Sequence, residues 1–221
     1  MMFFTLKAVS RRLLLLLALV PLSVFAQPAD LVEGQDYELI GAPGTFMPAD
    51  GKIEVVEVFA YTCHHCANFE PMLATWEQTL AEDVRFIRLP AAFGGIKDAW
   101  ARVYYAAKQL DILQRSHLAI FNALHQQGSL PKQGVSTSQL AEFHTAFGID
   151  PEKYLETLLG SEVDSSVEAA YAFSQRTRIP GTPVLIVNGK YLVRGNSFED
   201  FLRITDALIE QERQASNNTE Q

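Results

Sequence analysis

Cys63 and Cys66 are the only cysteines of the chain, held in the run Thr62-Cys63-His64-His65-Cys66-Ala67. Two thiols at this spacing can close to a disulfide or open to a dithiol, so the chemistry they offer is two-electron thiol exchange. With no third cysteine, any disulfide within the chain joins these two. So small a closed loop would constrain the unfolded chain little, which favours a reversible redox pair over a structural staple. Two other readings stay open on residue type alone: an inert bridge, or half of a zinc site completed by His64 and His65. Structural zinc takes four converging ligands, and adjacent histidines rarely aim at one ion. The thiolate is the form that reacts. The imidazoles of His64 and His65 titrate near neutrality and are candidates to donate to, or charge-stabilise, a Cys63 thiolate.

The elements around the pair have to place it. Ile53, Val55, Val56, Val58 and Phe59 read as a strand covered on both faces. After Tyr61 and Thr62, Phe69, Met72, Leu73, Trp76 and Leu80 fall three and four residues apart, the apolar stripe of a helix packed on a core. The cysteines therefore straddle a strand-to-helix turn. Unpaired N–H groups and the positive end of the helix dipole lie there, and both ease ionisation of a sulfur. Cys63 is expected to be the exposed sulfur that attacks and is attacked, and Cys66 its buried partner. Glu57 is a charge inside the apolar strand, six residues before Cys63; buried there it would be costly unless useful or paired, and the other reading is that it faces solvent at the strand end.

The rest of the chain is organised around that junction. Lys7, Arg11 and Arg12 precede the apolar run Leu13 to Val20, and Val24 and Ala26 suit cleavage after Ala26, so residues 1–26 read as a secretory signal peptide. The formal charge is −8, and the leader holds three of the 18 basic residues and none of the 26 acidic ones. An acidic mature chain is a poor partner for nucleic acid. Residues 27–51 read as a loop-like arm with one short strand near Tyr37 to Ile40. Val84 to Leu89 reads as a further strand, ended by Pro90. From Asp98 to Arg178 come only helical stretches: 99–110, 113–124, one starting near Ser136 or Ser138, one opened by Asp150-Pro151, and 163–178. His117, His125 and His144 fall on them without ligand spacing and are expected at the surface or as caps. Phe121, Phe143, Phe147, Tyr104 and Tyr105 are expected to fill a core of the helical segment itself. Val184 to Val193 carries Asn188-Gly189 between apolar runs, a strong hairpin signal. Ser197 opens a last helix through Leu208, and residues 211–221 read as a flexible tail.

A strand, a helix opened by C-x-x-C, a strand, and a hairpin preceded by Thr182-Pro183 and followed by a helix resemble the thioredoxin fold. Residues 67–182 separate Cys66 from Pro183, whereas one crossover unit needs only about 30. The resemblance thus implies an α/β thioredoxin fold, a central mixed sheet flanked by helices, with a large inserted helical subdomain. Its parts would be 27–95, the insertion 96–165, and 166–210. The stretches FAYTCHHCANFEP and TPVLIVNGKYLV, with the leader and the insertion, resemble the DsbA family of periplasmic thiol-disulfide oxidoreductases. That likeness implies a cis Thr182-Pro183 bond facing the cysteines, with Thr182 presenting its backbone to substrate. It also implies a buried Glu57 that handles protons and a basic partner at Arg88. His64-His65 replaces the usual Pro-His, and Thr182 stands where the best-known members carry Val.

The function implied is donation of the Cys63-Cys66 disulfide to unfolded or folding exported proteins through a mixed disulfide. No cofactor and no metal are called for, a monomer is expected, and a membrane reoxidase of the DsbB kind would restore the disulfide. An isomerase or reductase on the same fold is the alternative, suggested by Thr182. A periplasmic copper carrier using the cysteines and a histidine is a third reading.

Overall fold

The computed structural model describes residues 31–219; the expected signal peptide lies outside them. Two strands precede the cysteines, β1 (Tyr37–Leu39) and β2 (Ile53–Phe59). Every residue of β2 is buried, as its run of β-branched and aromatic residues predicts for a strand covered on both faces. The first helix, α1 (His64–Glu77), follows directly and leads to β3 (Val84–Pro90), which pairs parallel to β2. Parallel neighbours require such a crossover, and α1 supplies it. The chain returns to the sheet with β4 (Val184–Val187) and β5 (Tyr191–Val193). The strand order is β1-β5-β4-β2-β3, a mixed sheet with β1 at one edge. Asn188 and Gly189 both take left-handed φ, 49° and 57°, in the hairpin loop. Only glycine fits at 189, because a Cβ there would lie 1.9 Å from the Gly44 carbonyl oxygen.

Between β3 and β4 run α2 (Ala99–Gln109), α3 (Leu113–Asn122), α4 (Thr137–Thr145), α5 (Pro151–Leu158) and α6 (Ser161–Thr177). Polar side chains start three of them: Asp98 caps α2, Ser136 closes a capping box with Gln139 on α4, and Asp150 caps α5 ahead of Pro151. The stretch expected to be helical over 113–124 ends differently. After α3, a π-helical turn over Ala123–Gln127 carries the chain on to Gly128.

Two apolar clusters flank the sheet. One contains Ile53, Val55, Phe69, Leu73 and residues of α7 (Phe198–Thr219). The other joins Val56, Val58 and Phe59 to the helical excursion. Tyr104 and Phe121 meet Phe59 itself, with ring centroids 5.4 and 6.0 Å away. These aromatics therefore belong to a core shared with the sheet, not to one private to the helical segment. His144, expected near the surface, is fully buried; its ring stacks on Tyr154 at 4.1 Å and its Nδ1 bonds to the Leu140 carbonyl. The flexible tail is also corrected. Helix α7 continues to Thr219, because Glu212 accepts hydrogen bonds from Asn188, Lys190 and Tyr191, and Arg213 pairs with Asp83 at 2.7 Å.

Candidate active site

Cys63 is the N-cap of α1, in extended backbone geometry, and its Sγ accepts the Cys66 N–H at 3.4 Å. The strand-to-helix junction thus puts a sulfur where a Ser or Asp side chain would ordinarily cap. Both cysteines are free thiols; Cys63 is partly exposed and Cys66 is fully buried. Hydrogen bonding with the Cys66 thiol is the largest influence on Cys63. Together with the Thr182 side chain and the backbone N–H groups of Cys66 and His65, it outweighs partial burial and brings the Cys63 thiol down to about 5. Cys66 moves the other way: burial first, then its hydrogen bond to Cys63, push it far up. One sulfur is set to ionise and its neighbour to stay protonated.

Facing Cys63 across the site is the Thr182-Pro183 peptide, which is cis. The Cys63 thiol donates to the Thr182 carbonyl oxygen at 3.2 Å. His64 and His65 begin α1 with exposed side chains. The Asn68 amide donates to His64 Nε2 at 3.1 Å, and no hydrogen bond among the described residues links either imidazole to the sulfur. The contribution of position 65 to the thiolate comes from its backbone N–H.

Glu57 is buried, as expected, and burial is the first reason its carboxyl is pushed well up; the Glu70 charge adds to this and Arg88 opposes it. Arg88 stands opposite Glu57 in the β2–β3 register. Its guanidinium is hydrogen-bonded instead to Glu70 and Glu77, at 3.2 and 2.6 Å. Among the described residues Glu57 Oε2 has no hydrogen-bond partner, which favours the neutral acid.

Three residues beneath the site, Tyr61, His117 and Glu70, were given no functional role from the sequence. The Tyr61 hydroxyl lies 2.7 Å from His117 Nδ1, and His117 Nε2 lies 3.3 Å from a Glu70 oxygen. Donation by the hydroxyl to Nδ1 puts the ring proton on Nε2, facing the carboxylate. Burial pushes Glu70 up, but hydrogen bonds from His117 and Arg88, with the Arg88 charge, win and hold it below its ordinary range. His117 is buried, correcting the surface assignment. His125, on the π-helical turn, is also no mere surface residue: its Nε2 donates to the Tyr61 carbonyl at 2.8 Å, and its ring lies 5.9 Å from that of His64. A signal for His117 was present, since it shares a helical face with Phe121 and Leu124 at i+4 and i+7.

Residues 73–205 match the family model of the DSBA-like thioredoxin domain. The cysteines lie just ahead of that stretch. A thiol:disulfide interchange protein DsbA of Pseudomonas aeruginosa is 34% identical over 212 residues, covering 93% of this chain and 99% of its own. The DsbA of Azotobacter vinelandii is 38% identical over 85% of this chain and 87% of its own. Among solved structures, the oxidoreductase DsbA of Xylella fastidiosa superposes with a TM-score of 0.80 at 47% identity, over 83% of this chain and 98% of that one.

Proposed function

The chain belongs to the DsbA-like thioredoxin-domain family and is a thiol:disulfide oxidoreductase, and from that premise we propose that Cys63 and Cys66 are its redox pair, with Cys63 the sulfur that substrates meet. In the oxidised enzyme a substrate thiolate attacks Cys63 Sγ, the Cys63–Cys66 bond breaks, and Cys66 departs and takes up a proton. The second substrate thiol, once ionised, attacks the substrate sulfur of the mixed disulfide and expels Cys63 as a thiolate. The substrate loses two electrons and two protons. The enzyme keeps both electrons and one proton, on Cys66, and the other proton goes to solvent. The observation that carries this reading is the split between the two sulfurs, Cys63 partly exposed and down to about 5, Cys66 buried and pushed up. A low leaving-group pKa speeds the second step, and a stabilised thiolate makes the disulfide the stronger oxidant. DsbA proteins are themselves the best-known instance of that relation, and only its direction is carried to this chain.

Glu57, buried beside the pair with its carboxyl pushed up by that burial, is the proposed proton donor and acceptor for Cys66. Thr182 is proposed to pair its backbone with an extended substrate segment, with Pro183 shaping that edge. His64 and His65 are proposed to act through the helix terminus they occupy and by shielding the sulfur. The leader at 1–26 supports a periplasmic location, exported proteins as substrates and a DsbB-like membrane reoxidase. Residues 96–165 are read as the insertion between the two parts of the thioredoxin fold.

The test is capture of a reduced, unfolded protein by single-cysteine variants. Cys66→Ser should accumulate a mixed disulfide through Cys63, while Cys63→Ser should form none. Capture through Cys66 instead would reverse the assignment.

A further inference from the structure

Resting on the oxidase reading, we infer that His125 is a positioning residue of the redox reaction: with His117 it braces the turn that carries Cys63, and so fixes where that sulfur stands. His117, Phe121 and His125 all meet Tyr61, two positions before Cys63. The Tyr61 hydroxyl lies 2.7 Å from His117 Nδ1, its ring centroid 5.0 Å from that of Phe121, and its carbonyl oxygen 2.8 Å from His125 Nε2. Side chain and backbone of one residue are gripped together. Beyond the cysteine pair, His117 Nε2 reaches Glu70 of α1 at 3.3 Å. The His125 ring stands 5.9 Å from that of His64, at the start of the same helix. The brace therefore touches the chain on both sides of Cys63.

This grip depends on an irregular piece of backbone. His117, Phe121 and His125 are spaced i, i+4 and i+8. A regular α-helix of roughly 3.6 residues per turn would carry the last of them about 80° off the face of the first. The π-helical turn over Ala123–Gln127 closes its bonds over five residues instead of four, turns less per residue and keeps His125 near Tyr61. The hold on the backbone then runs through one atom. A carbonyl oxygen only accepts, so the His125 proton sits on Nε2, and Nδ1 is buried without a hydrogen-bond partner among the described residues.

The contacts of Cys63 depend on where the turn lies. Its N–H bonds to the Ala60 carbonyl at 3.0 Å, its sulfur accepts the Cys66 N–H at 3.4 Å, and its thiol faces the Thr182 carbonyl oxygen at 3.2 Å. Those partners sit on three separate pieces of chain. Strand β2 fixes the backbone as far as Phe59 and α1 fixes it from His64, so residues 60–63 take their support from the histidines. A loosened turn would draw the sulfur away from its donors and out of line for attack, and a misplacement of about 1 Å can cost about a hundredfold in rate.

The experiment replaces His125 in the mature protein by Leu, which removes the donor, and by Gln, whose amide N–H can stand in for Nε2–H. Thiolate absorbance of the reduced protein is followed against pH, kcat/KM is measured for a reduced peptide with a cysteine pair, and a urea titration is run alongside. His125→Leu should raise the Cys63 midpoint by about one unit and lower kcat/KM about tenfold. His125→Gln should restore the midpoint to within about half a unit of the parent and the rate to within about threefold. Lost stability in His125→Leu with midpoint and rate in place would reduce His125 to a structural residue and overturn the inference; equal effects of Leu and Gln would do the same. If the Leu variant does not fold, His125→Asn, whose shorter amide stops short of the Tyr61 carbonyl, takes its place with the same expectations. The titration needs no substrate. A parent protein that leaves the peptide reduced therefore overturns the oxidase reading, while the midpoints still decide the brace.

Discussion

Glu57 and Arg88 face each other in the β2–β3 register, yet Arg88 Nε comes no nearer than 4.0 Å to Glu57 Oε2. The guanidinium turns to Glu70 and Glu77, so the acid directly across the ladder is left without a hydrogen bond on Oε2. That asymmetry separates the two buried carboxyls: Glu70 is held low by its partners and Glu57 is pushed high by burial. Of these two carboxyls, Glu57 is the one whose surroundings favour the protonated acid.

Replacing Glu57 by Gln keeps the shape and removes the exchangeable proton. Deprotonation of the buried Cys66 during reoxidation should then slow about a hundredfold, the lower end of what a positioned acid-base group supplies. Stopped-flow oxidation of the reduced variant checks this, and an unchanged rate would remove Glu57 from the proton route. Stability gives an independent reading. An acid whose folded pKa lies above its unfolded value favours folding in its protonated form, and that contribution is lost as pH rises from about 4.3 through the folded value. Glu57→Gln should therefore lose less stability than the parent as pH rises through that window, measured by urea titration.

The Cys63 titration follows from the cap geometry. Thiolate absorbance of the reduced protein should give a midpoint of about 5, with no second thiol ionising in the ordinary range. Because the sulfur is met by backbone N–H groups and no imidazole, His64→Ala and His65→Ala should each move the midpoint by less than about half a unit, under roughly 0.7 kcal/mol. A shift of a full unit or more from either would show that the side chain acts on the sulfur.

Tyr61 and His117 form a buried pair whose parts depend on each other. Tyr61→Phe leaves His117 Nδ1 without a donor, and His117→Phe leaves the Tyr61 hydroxyl without its acceptor. Each should cost about 1–3 kcal/mol, the penalty for a buried polar group left unpaired. The double substitution removes both groups and should cost less than the sum of the singles. Chemical denaturation of the four proteins measures the difference, and strict additivity would mean that the contact contributes nothing.

The sheet and the cysteine junction were legible because their signals are local. The both-faces apolar run of β2, the stripe on α1 and Asn188-Gly189 each name their own element. The parts that escaped are set by distant partners. Residues 211–219 look polar and frayed, but Glu212 and Arg213 find anchors on β5, the hairpin loop and Asp83. His117 and His125 lack ligand spacing because their partners, Tyr61 and Glu70, lie far away in the chain. Arg88 could be matched to Glu57 as a basic neighbour, whereas its turn toward Glu70 and Glu77 depends on where α1 packs.

The last expectation joins the sulfur pair to the potential. Above about pH 5 reduction leaves Cys63 as a thiolate and Cys66 as a thiol, so two electrons enter with one proton. Below that pH both sulfurs are protonated and two protons enter. The reduction potential should thus fall by about 30 mV per pH unit above the Cys63 pKa and by about 60 mV per unit below it, since a tenfold change in a two-electron equilibrium is about 30 mV. Equilibration against a dithiol buffer at several pH values gives the curve and the position of its break. Thr182→Val removes the hydroxyl that helps lower Cys63 while keeping the shape, so the break should move to higher pH and the neutral-pH potential should become less oxidising. A break that stays in place would leave Thr182 with its backbone role alone, and a slope near 60 mV across the whole range would mean that Cys63 is protonated at neutral pH and that the split between the two sulfurs does not exist.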